Sequence, residues 1–72
     1  MLNKSYKFPK ELGKKIRRAR KAADYSQEKL AEIVRISRTH MGHLEQGRRT
    51  PSLELLEKVA RALKVGIDEL FK

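Results

Sequence analysis

The sequence contains no cysteine. That excludes a disulfide framework, a thiolate metal site and a cysteine nucleophile. No apolar run approaches the roughly 20 residues a membrane span needs. The N-terminus is basic but has no apolar stretch of the secretory kind. No β-type alternation, internal repeat, low-complexity segment or interdomain linker is present. The glycines, Gly13, Gly42, Gly47 and Gly66, form no phosphate-binding loop. Acidic residues are scarce beside basic ones, 9 against 18, and the formal charge is +9. A chain of 72 residues makes one small domain. Such a domain buries only roughly 60% of its unfolded surface, which disfavours a deep catalytic cleft. Hydrophobic residues make up 39%, enough for a core, while 38% are charged. The composition points to a compact cytosolic domain that meets a polyanion.

The charge is uneven. Residues 1–23 carry Lys4, Lys7, Lys10, Lys14, Lys15, Arg17, Arg18, Arg20 and Lys21 against Glu11 alone, a net of +8. Residues 24–47 sum to −1 and residues 48–72 to +2. Charge of this kind suits nucleic acid and an acidic membrane surface about equally.

The apolar spacing is helical throughout. Leu12, Ile16, Ala19 and Ala23 form one stripe on a first helix from about Pro9 to Ala23, with Pro9 at the first position, where its missing N–H costs nothing. Asp24 ends that run, being tolerant of left-handed geometry. Ser26 is an N-cap for a second helix over about Gln27–Val34, with Leu30, Ala31 and Val34 inward. Ser37 caps a third, in which Met41 and Leu44 face the core and Gly47 is the stop. Gly47–Pro51 reads as loop. Ser52 caps a fourth helix with Leu53, Leu56, Val59, Ala60 and Leu63 on one face. Gly66 opens a last short helix carrying Ile67, Leu70 and Phe71. The expectation is an all-α, compact five-helix domain over residues 9–72, preceded by a flexible basic arm over residues 1–8.

Two short helices joined by a tight turn and packed on three others make a helix-turn-helix. The run SQEKLAEIVRISRTHMGHLEQGRRTPSLELLEKVARAL, Ser26 to Leu63, resembles the phage-repressor/Cro type of helix-turn-helix domain. LGKKIRRARKA upstream and VGIDEL downstream extend the resemblance to about residues 10–71. It rests on correlated positions: Gln at the start of helix two, the Leu-Ala pair, Ser at the start of helix three, the Leu-Glu-x-Gly end, a basic loop ending in Pro-Ser-Leu, and Asp-Glu-Leu.

The resemblance implies that helix three, about Ser37–Gln46, lies in the major groove of double-stranded DNA. Its base-contacting positions are Arg38, Thr39 and His43, which must point away from a core that takes Met41 and Leu44. Arg38 suits guanine O6 and N7, Thr39 a base or a thymine methyl, and His43 an acceptor or a phosphate. Gly42 leaves a gap where a longer side chain is common. Phosphate contacts are implied for Gln27, at the free N–H groups of helix two, and for Ser37, Arg48, Arg49 and Thr50. The plain alternative for each is an ordinary solvated polar residue. The resemblance also pairs Arg20 with Glu45, a carboxylate otherwise opposed by both the helix dipole and DNA. Three positions depart from the type: Asp24, Arg35 and Lys64 stand where glycine is common, and a non-glycine residue in left-handed geometry costs about 1 kcal/mol.

The function expected is a sequence-specific transcriptional regulator, a repressor binding an inverted repeat as a homodimer, with no catalytic residue, metal, cofactor or small-molecule ligand. Leu55, Ile67 and Phe71 are the candidate dimer surface. His40 and His43 lie three apart, but no third metal ligand is placed beside them. Two alternatives stand beside this. One is an antitoxin or other protein-interaction module that also binds DNA, against which the lack of an extra wrapping segment counts. The other is a basic amphipathic membrane-surface peptide, against which the complete helical pattern counts.

Overall fold

The computed structural model describes residues 8–71, so residues 1–7 of the arm expected over residues 1–8 lie outside the described residues. Phe8, assigned to that arm, is helical. Four α-helices follow in order: α1 Phe8–Ala22, α2 Gln27–Val34, α3 Arg38–Glu45 and α4 Leu53–Leu63. The fifth element is a 3-10 helix, Ile67–Phe71, rather than an α-helix. Its entry is an i→i+3 bond, Glu69 N–H to the Gly66 carbonyl at 2.9 Å, the tighter pattern that short helical pieces use. No strand occurs among the described residues.

Ser26, Ser37 and Ser52 act as N-caps. Ser26 Oγ accepts from the Lys29 amide at 2.9 Å, Ser37 Oγ from that of His40 at 2.9 Å, and Ser52 Oγ from that of Leu55 at 3.1 Å. The four α-helices end alike, each with one residue at positive φ. Asp24, Arg35, Gly47 and Lys64 have φ of 64°, 66°, 77° and 58°. The next residue's N–H then reaches back to the last turn: Tyr25 to Arg20, Ile36 to Ala31, Arg48 to His43 and Val65 to Ala60, at 2.9–3.1 Å. Helix α1 closes one residue earlier than the apolar stripe implies. Ala23 N–H divides between the Ala19 and Arg20 carbonyls, both at 3.1 Å, as the last turn tightens.

α2 packs against both α3 and α4, while α1 packs against α3, α4 and the 3-10 helix. The shared core is Leu12, Ile16, Leu30, Ala31, Val34, Met41, Leu44, Leu56, Val59, Ala60, Leu63 and Leu70. One expected core residue is displaced. Leu53, the first residue of α4, is 63% exposed, while Leu55 is half-buried against the core. The stripe's first position lies beyond the core's edge, and Leu55 closes that edge instead.

α1 meets the end of α3 backbone to backbone. A Cβ on Gly13 would collide with the Leu44 carbonyl oxygen and lie 2.6 Å from that of Glu45. A Cβ on Gly47 would lie 2.7 Å from Lys10 Cα, so this helix end needs glycine for space as well as for φ. These contacts set the orientation of α3.

Candidate nucleic-acid interface

α3 is amphipathic over two turns. Met41 and Leu44 are buried, and so is Glu45. That carboxylate sits where the helix dipole opposes it, and three donors offset the cost. Arg20 Nε donates to Glu45 Oε2 at 2.6 Å, and Arg20 Nη2 to Oε1 at 3.1 Å. Gln27 Nε2 donates to Oε1 at 3.0 Å. Arg20 Nη1 donates in turn to the Tyr25 carbonyl at 2.8 Å. Arg20 and Glu45 are only 7% and 6% exposed. A buried bidentate pair stays favourable only when its remaining hydrogen-bonding capacity is met, as here. The cluster joins α1, α2 and the end of α3 into one support.

On the opposite face of α3, the residues read from the sequence come together. A shallow depression of about 270 Å³ is lined by Gln27, Arg38, Thr39, Gly42, His43, Gln46 and Arg48. An adjoining one of about 330 Å³ is lined by Ser37, Thr39, His40, His43 and Arg49. Thr39 and His43 belong to both. Arg38, Thr39, Arg48 and Arg49 are exposed, and His43 is half-buried. Thr50 is exposed in the loop and lines neither depression. Ser37 Oγ accepts the His40 amide, which leaves its hydroxyl hydrogen free to donate outward.

One residue lining the first depression was not read from the sequence. Gln46 lies three residues beyond His43 on the same face, and extending the outward face by one turn would have found it.

Leu55 and Ile67 are half-buried against the core, and Phe71 is 44% exposed. They lie on α4 and the 3-10 helix, which pack on each other. No group of three or more His, Cys, Asp or Glu side chains able to hold a metal exists among the described residues. No helix among them is long and apolar enough to cross a membrane.

Comparison with known proteins agrees with this geometry. The model of the family described as Helix-turn-helix matches residues 16–70. An uncharacterized HTH-type transcriptional regulator of Bacillus subtilis, YazB, is 38% identical over 58 residues, 81% of this chain and 84% of that protein. Among solved structures, the restriction-modification controller protein C.AhdI from Aeromonas hydrophila superposes with a TM-score of 0.86 at 36% identity, covering 92% of this chain and 100% of that one. The regulator of biofilm formation SinR, solved in complex with DNA, superposes with a TM-score of 0.79 at 31% identity, covering 85% of this chain and 98% of that one. With this fold, this braced α3 and these likenesses, the chain belongs to the helix-turn-helix family of the phage-repressor/Cro type, a family of non-enzymatic, DNA-binding transcriptional regulators.

Proposed function

We propose that the protein is a sequence-specific repressor that binds an inverted-repeat operator in double-stranded DNA as a homodimer, in the cytoplasm. The observation that carries this reading is the shared face of α3. Arg38, Thr39 and His43 stand together there beside Arg48, on a helix fixed from behind by Arg20 and Glu45. Arg38, Thr39 and His43 contact base edges. Ser37, Arg48, Arg49 and Thr50 contact phosphates, together with Gln27 through the free backbone N–H groups at the start of α2. Affinity comes mainly from the cations and specificity from α3.

One such module reads only a few base pairs, so two copies related by a two-fold axis double the site and make it palindromic. The dimer surface lies on α4 and the 3-10 helix, with Leu55, Ile67 and Phe71 in it. The exposed Leu53 adds apolar area at the start of α4. Repression needs no contact beyond DNA, because occupancy alone blocks a promoter.

Selection of bound sequences from a random duplex pool tests this. The expected result is an inverted repeat. On the selected duplex, affinity should fall roughly 10³-fold or more between about 50 and 200 mM salt. A flat salt response, or a selected pool without a repeated half-site, would overturn the reading.

A further inference from the structure

Gln27 carries an acceptor that phosphate cannot use. Glu45 fixes how the Gln27 amide lies. A carboxylate has no hydrogen to give, so the amide nitrogen must face it, and Nε2 donates to Glu45 Oε1 at 3.0 Å. The amide oxygen is thereby turned the other way, towards α3 at Gly42. The nearest atom to a Cβ built on Gly42 is this Gln27 Oε1, at 3.9 Å. Gly42 has no side chain to cover it. Gln27 lines the depression shared with Arg38, Thr39, Gly42, His43, Gln46 and Arg48, and its oxygen lies on the Gly42 side.

An oxygen acceptor repels a phosphate oxygen. It is matched by a hydrogen-bond donor, and the donors DNA offers in the major groove are the N6 amino group of adenine and the N4 amino group of cytosine. Nε2 keeps a second hydrogen, so the amide presents an acceptor and a donor side by side, the pair that matches adenine N6 and N7.

We propose that the Gln27 side chain reads a base, adenine by preference, through the opening left by Gly42, while the backbone amides at the start of α2 face the phosphate. Specificity then comes from two helices rather than from α3 alone, and Glu45 sets a reading side chain as well as bracing α3. This inference rests on the DNA-binding reading.

The test uses the full chain and the duplex selected from a random pool. In each half-site, one adenine at a time is replaced by purine, which lacks the N6 amino group and keeps N7. One cytosine at a time is replaced by 2-pyrimidinone, which lacks the N4 amino group. Affinities are measured for the wild type, for Gln27→Ala and for Gly42→Val, which leaves Gln27 in place and covers its oxygen. The expected result is one position where the analogue weakens the wild type about tenfold and leaves both variants nearly unaffected. Gln27→Met, which keeps the side-chain length without the acceptor, should lose the same discrimination and replaces Gln27→Ala in the comparison if the alanine variant is poorly folded. The proposal is overturned if no analogue position separates the wild type from the variants. It is equally overturned if Gln27→Met weakens matched and scrambled duplexes by the same factor, because the side chain then grips the backbone. A wild type that binds no duplex overturns the DNA reading itself and this inference with it.

Discussion

The end of α3 and the ends of α1, α2 and α4 close with the same backbone turn and are used differently. At the three others a charged residue, Asp24, Arg35 or Lys64, takes the positive φ. An apolar residue follows, Tyr25, Ile36 or Val65, and each packs against the core. At α3 the positive φ belongs to Gly47 and the residue that follows is the exposed Arg48. The first arrangement anchors a helix end from inside, and the turn's strain of about 1 kcal/mol is offset by apolar burial. The second leaves the helix end open on one side, where Arg48 lines the α3 face, and holds it on the other by a polar cluster and two backbone-close contacts with α1. The difference shows that the end of α3 is held from behind, by α1 and α2, rather than by an apolar plug of its own.

Breaking the polar support should have the largest effect. Glu45→Ala leaves Arg20 buried without its carboxylate, and a loss of about 3 kcal/mol is expected by urea unfolding. An unchanged midpoint would show that α3 does not depend on this cluster. Gly47→Ala comes next. It places a methyl 2.7 Å from Lys10 Cα at a φ of +77°, and about 2 kcal/mol should be lost through strain and overpacking.

The contrast between the turns sharpens with a pair of substitutions. Ile36→Ala should cost about 1 kcal/mol of stability, whereas Arg48→Ala should cost less than about 0.5 kcal/mol and instead weaken duplex binding. Equal stability losses from the two would erase the distinction. The smallest effect is a gain. Arg35→Gly and Lys64→Gly relieve left-handed strain, partly offset by the added freedom of the unfolded chain, so each should raise stability by about 0.5 kcal/mol. A fall in thermal midpoint for both would show that the turns are not strained.

Much of the fold was legible because helix-forming spacing, serine caps and helix ends are local signals. Leu12 and Ile16, Leu30 and Val34, and Met41 and Leu44 identify the inward faces of the first three helices before any contact is known. Leu53 misled because periodicity says which face a residue shares and not how far along the helix the core extends. The positions of Asp24, Arg35 and Lys64 raised the question of left-handed turns, but the apolar residues behind them become anchors only through tertiary packing. For the site, the residues on the outward face of α3 follow from the burial of Met41 and Leu44. The pairing of Arg20 with Glu45 spans 25 residues and was reachable only through the family resemblance. The orientation of the Gln27 amide was beyond the sequence altogether, because it depends on a three-residue hydrogen-bond network across α1, α2 and α3.

The central claim is that one face of a braced α3 reads bases while the loop after it holds the backbone. The most direct test compares Arg38→Ala and Arg49→Ala on matched and scrambled duplexes over a range of salt concentrations. Arg38→Ala should cost about 1–3 kcal/mol on the matched duplex and relax preference at one base pair of each half-site. Arg49→Ala should weaken both duplexes alike and make the salt slope shallower by about one unit for each phosphate that is no longer neutralised. If Arg38→Ala weakens matched and scrambled duplexes equally, Arg38 is a backbone contact and the account of how this face reads DNA is wrong.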